Sequence, residues 1–288
     1  MRVFMMENYY RANKMKITIL GASGFIGSHL VTQLREEQIN YWAPDRDDFA
    51  IYKRHLGHVI YCIGLTADFR TRPFDTVDAH VCLLPKVLKQ CKFDSFLYLS
   101  STRVYGAAQG IAREEDPLKI QPLDFNDLYN ISKAMGESIC FATGKDNVRV
   151  VRLSNVYGCD FKSENSISSL IRDAFKNKRI VLHTSLDSKK DYINIKDVVN
   201  ILPKIAVHGN RKIYNVASGK NVTNAQIVDI LGRLTGCIVE VDENAKRICY
   251  PNIYVSRIKE EFAFTPSKIT DDLNELVSKY NDFTKEKK

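Results

Sequence analysis

Tyr129 and Lys133 stand four residues apart in Tyr129-Asn130-Ile131-Ser132-Lys133, so on a helix they share one face. A phenol is a poor proton donor or acceptor near neutral pH because its ordinary pKa is about 10. An ammonium beside it favours the phenolate and draws that value toward the working range, which makes the pair a candidate proton-transfer device. A third group belongs with them. Ser101 closes the run Leu97-Tyr98-Leu99-Ser100, and a hydroxyl at the end of a strand can hold a substrate oxygen while charge develops there. Together these three residue types could move a proton at a substrate oxygen: Tyr129 moves it, Lys133 tunes it, and Ser101 orients the oxygen.

Such a set needs elements that bring it together. The pattern predicts a strand over 96–100 and a helix over 126–143 that stops at Gly144, a residue suited to a left-handed cap. Near the start, Lys16-Ile17-Thr18-Ile19-Leu20 runs straight into Gly21-Ala22-Ser23-Gly24-Phe25-Ile26-Gly27 and then a helix-like Ser28–Leu34. A strand, a glycine-spaced turn and a helix are how a Rossmann fold holds a dinucleotide. Gly21 permits the tight turn, Gly24 lets the backbone approach a pyrophosphate, and Gly27 lets the helix pack on the strand, so that the free N–H groups at the helix start face the phosphates. The expected cofactor-binding set is Gly21, Ser23, Gly24, Phe25, Ile26, Gly27, Asp45, Arg46, Gly64, Tyr129 and Lys133.

With these motifs in order, the chain from about Met15 onward resembles the extended short-chain dehydrogenase/reductases, the branch of nucleotide-sugar epimerases, dehydratases and reductases. Gly21, Gly24 and Gly27 match the family's GxxGxxG turn, Ser101 its serine or threonine, and Tyr129 and Lys133 its catalytic pair. Arg152-Leu153-Ser154-Asn155-Val156-Tyr157-Gly158 is similar to a family segment whose asparagine contacts the nucleotide-sugar. Lys190-Asp191-Tyr192-Ile193-Asn194-Ile195-Lys196-Asp197-Val198 is similar to the family's Arg-Asp-Tyr-Ile-His-Val-x-Asp-Val. The resemblance implies that Asn155, Lys190 and Arg247 join Ser101 in binding substrate, and that a homodimer forms by packing of the 75–90 and 126–143 helices.

Departures from the family pattern narrow the reaction. In its 4,6-dehydratases an Asp and a Glu follow the serine or threonine, where this chain has Thr102 and Arg103, so dehydration lacks its acid and base. In its 3,5-epimerase/4-reductases a cysteine stands where Arg103 stands here, so proton exchange at carbons 3 and 5 lacks its acid. What remains is an NAD(P)-dependent epimerase or oxidoreductase acting on a nucleotide-activated sugar at a carbinol carbon, C4 in the resemblance. The alternatives are a 4-keto-sugar reductase and, from another class, a non-catalytic dinucleotide sensor. The connection from Asp45 to Val59 is short where typical epimerases place another strand and helix, which is closer to the sugar 4-reductases. Lys190 replaces the family's phosphate-pairing arginine and supplies charge without the planar fork, with Lys246 or Arg247 as a second basic contact.

Asp45 lies twenty-four residues after Gly21, beyond a strand expected over 39–43, and an acid there would hydrogen-bond the adenosine ribose and repel a 2′-phosphate. That favours NAD, while the adjacent Arg46 keeps NADP open. The fold class expected is α/β: a Rossmann-type doubly wound parallel sheet with a smaller C-terminal substrate-binding part. The expected division is a tail at 1–14, a Rossmann domain at 15–155 and 178–217, and a substrate-binding domain at 156–177 and 218–288. Thr223-Asn224-Ala225-Gln226 opens a helix in capping-box style.

Of the net charge of +8, five units lie in residues 1–16 and 285–288, leaving about +3 on the body, which suits an anionic nucleotide-sugar and argues against a nucleic-acid surface. No apolar run reaches the roughly 18 residues of a membrane span, and the first fourteen residues lack the apolar stretch of a secretory leader, so a cytoplasmic enzyme is expected. The seven cysteines are scattered singly, without metal or disulfide spacing, and read as small buried hydrophobes in a reducing compartment, with no metal site.

Overall fold

The computed structural model describes residues 15–66, 69–106, 110–161 and 166–285, without the side chain of Ser166. The tail expected at 1–14 lies outside the described residues. Six strands form the central parallel sheet: β1 Ile17–Leu20, β2 Tyr41–Trp42, β3 His58–Tyr61, β4 Ser95–Ser101, β5 Val148–Leu153 and β6 Ile213–Val216. Their order is β6-β5-β4-β3-β1-β2. Ile17, Ile19, Val59, Ile60, Phe96, Leu97, Val150 and Val151 are all fully buried, as expected when both faces of a parallel sheet are covered and its strands read as continuous apolar runs.

In the dinucleotide order 3-2-1-4-5-6 two strands lie on the outer side of β1, whereas here only β2 does, so the counterpart of the third strand is missing on that side. Between β2 and β3 the chain makes only a 3₁₀ turn, Phe49–Tyr52, which Asp48 caps by accepting the Ala50 N–H at 2.8 Å. The sheet therefore ends at β2. Trp42 on this edge has the Lys16 ammonium 4.5 Å and the Arg54 guanidinium 5.4 Å from its ring centroid.

Four helices of the first compact unit matter for the site: α1 Phe25–Glu36, α2 Pro73–Val77, α3 Leu83–Gln90 and α4 Leu128–Ala142. The helix expected over 75–90 is thus interrupted, because Asp78–Cys82 between α2 and α3 forms a π turn. That unit comprises the described residues up to Val104 together with Lys119–Arg152 and Val198–Tyr214. A buried ion pair ties its strands to α4. Glu137 accepts from Ser100 Oγ at 2.5 Å and from Arg152 Nε and Nη2 at 3.0 and 2.7 Å, with both charged side chains 4% exposed.

The second unit comprises Tyr105–Leu118, Leu153–Asp197 and the described residues from Asn215 on. The sequence reading placed 178–197 with the Rossmann part, and backbone pairing puts it here instead. Strand Arg179–Thr184 pairs with Ile238–Lys246, and Lys189–Asn194 lies between Asn155–Tyr157 and Asn221–Thr223. Residues 105–118 come with it because Ile111–Ala112 pairs with Asn252–Ile253. Its core gathers Ile171, Ala174, Ile180, Leu231 and Leu273 from these strands and from helices Ser166–Lys176, Asn224–Thr235 and Ile269–Lys285. The capping box at Thr223 and Gln226 is present, and the helix it opens ends on Gly236 in the left-handed region.

Candidate functional site: a glycine cradle and a buried tyrosine

Gly21 has φ 88°, and a Cβ there would press against the backbone of Cys62 and Ile63. A Cβ on Gly27 would collide with the Gly21 carbonyl oxygen, so Gly27 is what allows α1 to start directly against the turn. Gly24 differs. A Cβ on it would make only an ordinary 3.5 Å contact, so nothing in the protein requires glycine at this exposed N-cap of α1. No side chain caps the helix there, which leaves the N–H groups of Phe25, Ile26 and Gly27 at the positive end of the dipole for an outside acceptor. An uncapped helix start behind an exposed glycine fits a dinucleotide pyrophosphate. Ser23 is exposed beside it, and Asp45 and Arg46 are exposed three and four residues beyond β2, at the carboxyl end of the strand next to β1.

Ser101, Tyr129, Lys133 and Gly64 come together in this same unit. Tyr129 and Lys133 lie one turn apart on α4, 3% and 5% exposed, and Ser101 ends β4. The Ser101 and Thr66 side chains lie near enough to the Tyr129 hydroxyl to favour its phenolate. Lys133 Nζ donates to the Leu99 carbonyl at 2.8 Å and sits 5.3 Å from the Tyr98 ring centroid. A Cβ on Gly64 would stand 3.3 Å from that ammonium and 3.0 Å from His80 Nε2, so the loop after β3 passes as near as glycine allows.

His80, in the π turn, is fully buried, and its tautomer follows from its partners. Nε2 accepts the Leu65 N–H at 3.2 Å, so Nδ1 carries the proton and donates it to Ser132 Oγ at 2.8 Å. Ser132 in turn donates to the Tyr129 carbonyl at 2.9 Å. Burial, with the Lys133 charge adding to it, holds His80 far below the usual histidine range, so the imidazole stays neutral. This histidine couples the loop after β3 to α4, the helix that carries Tyr129 and Lys133.

The electrostatics correct one expectation. Burial raises the Tyr129 phenol above its ordinary value, against opposing effects from the Ser101 hydrogen bond, the Arg103 charge and the Thr66 hydrogen bond. Lys133 was expected to supply the lowering, but its ammonium is spent on the Leu99 carbonyl, and burial pulls its own pKa from 10.5 to about 7 despite the nearby Glu137. Arg103 stands where Lys133 was expected to act, its guanidinium carbon 5.0 Å from the Tyr129 ring centroid.

The second unit holds the remaining expected residues. Asn155 Nδ2 donates to the Asp191 carbonyl at 2.8 Å, and Asp191 accepts from the Ser218 and Lys220 N–H groups. Lys190 has its ammonium 5.4 Å from the Tyr192 ring centroid, and Arg247 is exposed and ion-paired with Asp187. Cys91, Cys140 and Cys237 are buried as expected, whereas Cys82 and Cys159 are exposed. Among the described residues no three His, Cys, Asp or Glu side chains converge as metal ligands, and no helix is long and apolar enough to cross a membrane.

The model of the NAD dependent epimerase/dehydratase family matches residues 17–217, a span that runs from β1 through β6 and takes in the glycine turn and the Ser/Tyr/Lys set. The chain belongs to this family. The curated relatives include UDP-glucuronic acid decarboxylase 5 of Arabidopsis thaliana, 20% identical over 80% of this chain and 77% of that protein. They also include dTDP-4-dehydro-6-deoxyglucose reductase of Escherichia coli, 24% identical over 91% of this chain and 96% of that one. MoeE5, solved in complex with UDP-glucose and NAD, has the same fold: TM-score 0.79 and 20% identity, covering 93% of this chain and 99% of MoeE5. Within the epimerase/dehydratase family this chain carries Thr102 and Arg103 directly after Ser101. Sequence reasoning missed His80, Thr66 and the placement of Arg103. Only Arg103 carried a signal, as a cation where an acid was sought.

Proposed function

We propose that the protein reduces a keto group on a nucleotide-activated sugar, at C4, with NAD(P)H. The observation that carries this reading is Tyr129 itself, a buried phenol held protonated at neutral pH beside Ser101, with no carboxylate at 102 or 103 to assist any elimination. A protonated tyrosine is in the state a carbonyl reduction consumes. The near end-to-end match to the E. coli reductase, against partial coverage of the decarboxylase, supports the same direction.

The residues that would hold the dinucleotide are Gly21, Ser23, Gly24, Phe25, Ile26 and Gly27 at the pyrophosphate, Asp45 and Arg46 toward the adenosine ribose, and Gly64 and Lys133 toward the nicotinamide end. When bound, the reduced cofactor supplies the hydride. The rest falls to the chain: Ser101 holds the ketone oxygen, and Tyr129 gives it a proton as that oxygen becomes an alcohol. Asp45 favours NAD over NADP. Asn155, Lys190 and Arg247 serve the nucleotide-sugar. The protein pairs as a homodimer through the α2–α4 surface, where Phe74, Met135 and Phe141 are exposed; a monomer by light scattering refutes that.

The test supplies NADH or NADPH with UDP-, GDP-, CDP- and dTDP-linked 4-keto sugars and their hydroxyl counterparts. Stoichiometric loss of reduced nicotinamide with a keto sugar is expected. Inversion of a hydroxyl sugar without net cofactor change overturns the reductase in favour of a 4-epimerase, and cofactor binding with no turnover overturns it in favour of a sensor.

A further inference from the structure

We propose that Arg103 is a positioning residue for Tyr129, holding a permanent positive charge against the phenol that gives up the proton. This rests on the reading of Tyr129 as the proton donor. Arg103 lies in the 3₁₀ turn Thr102–Tyr105, directly after Ser101 at the end of β4. Its backbone N–H donates to Ser101 Oγ at 3.2 Å, so one residue fixes the serine hydroxyl and reaches the tyrosine. The guanidinium carbon is 5.0 Å from the Tyr129 centroid and 5.1 Å from that of Phe69, and those two rings lie 5.2 Å apart, inclined at 47°. The three centres form a near-equilateral triangle, so the cation rests against both packed rings at once, a placement that keeps its charge beside the phenol.

The other titratable groups around Tyr129 do not supply that charge. His80 meets the ring edge-on at 5.4 Å and is neutral. Tyr98, on β4, stays protonated in its buried setting. Lys133, one turn along α4, donates to Leu99 and loses its proton above about pH 7, well before a phenol titrates. Arginine keeps its charge throughout. A fixed cation at this range stabilises the tyrosinate left by proton transfer and so strengthens the acid. Arg103 thus supplies the counter-charge for the phenol assigned here as the proton donor.

The experiment follows one tyrosine directly. Ultraviolet difference titration of the full chain against its Tyr129→Phe variant isolates the Tyr129 phenol, and the same pair is repeated with Arg103→Gln, Arg103→Lys and Lys133→Met. The expected result is an upward displacement of the midpoint by about 1 pH unit or more in Arg103→Gln, near-complete restoration by Arg103→Lys, and no comparable rise in Lys133→Met. If Arg103→Gln does not fold, Arg103→Met, which keeps an apolar stem against the rings, takes its place. An unmoved midpoint in the folded neutral variant overturns the proposal. So does a displacement that lysine fails to reverse, which would report packing, or an equal one from Lys133→Met. On a turned-over sugar, the alkaline limb of kcat should move upward by the same amount in Arg103→Gln. Because the titration needs no sugar, a silent substrate panel with a displaced midpoint refutes the assigned reaction while upholding the Arg103–Tyr129 coupling.

Discussion

Replacing Glu137 by Gln should cost far more stability than its exposed surface suggests. The carboxylate is buried on α4 and accepts three hydrogen bonds, one from Ser100 and two from the Arg152 guanidinium, which is itself 4% exposed. Gln keeps the shape and loses the charge. It removes the anion facing a buried guanidinium and replaces one acceptor oxygen by a donor nitrogen, so the loss should be about 3–5 kcal/mol. Removing both charges together, as Glu137→Met with Arg152→Met, leaves neither member of the pair facing a lost partner, and the unmet Ser100 hydroxyl then costs about 1–3 kcal/mol. Urea unfolding followed through Trp42, the chain's single tryptophan and part of the same unit, reads both variants. The double variant should be the more stable of the two. If Glu137→Gln costs no more than the double replacement, the network is not acting as a compensated buried pair and the reasoning fails.

Tyr129→Phe should retain dinucleotide binding by titration while turnover falls about 10²–10⁴-fold, since only the proton donor is lost; undiminished turnover refutes the mechanism. Gly24→Ala should leave the melting temperature unchanged and weaken dinucleotide binding, whereas Gly27→Ala, driven against the Gly21 carbonyl, should destabilise the fold by about 1–3 kcal/mol; equal effects of the two on stability would remove the distinction between cradle and packing glycine. For Lys133 the folded pKa of about 7 lies below the ordinary 10.5, so between these values the unfolded chain binds more protons and stability rises with pH. Lys133→Met should therefore stabilise the cofactor-free protein most below pH 7, with an advantage that shrinks toward pH 10.5 in pH-resolved melting; a constant offset refutes the buried-ammonium account.

What was legible in the sequence was local. The glycine turn, strand β4, helix α4 and the Thr223–Gln226 capping box each depend on residues a few positions apart, and their periodicity or cap chemistry is written in the chain. The Ser101, Tyr129 and Lys133 set was legible through spacing and resemblance together. The π turn was only hinted at: Pro85, just past it, lacks the N–H that a regular helix would direct back to Val81, but the interruption becomes intelligible only once His80 is seen bridging Leu65 and Ser132. Arg103 against Tyr129 was hidden for a similar reason, since β4 and α4 meet through the sheet and not through sequence spacing. The assignment of 178–197 failed because strand partnership depends on Ile238–Lys246 and Asn221–Thr223, far along the chain.

The strand omitted between β2 and β3 also changes what kind of border the sheet has. A sheet that stops early offers a row of unpaired backbone groups to any passing strand, including one from another copy emerging from the ribosome. Here the outermost strand is two residues long, too short to template a partner. Lys16 and Arg54 both lie against its Trp42, so the largest apolar group on that border is screened by two like charges. An incoming chain would have to displace both cations to pair there. Brevity and charge together make the truncated margin resistant to edge-to-edge association, and a substitution such as Arg54→Val would be felt first in the solubility of concentrated protein and only later, if at all, in catalysis.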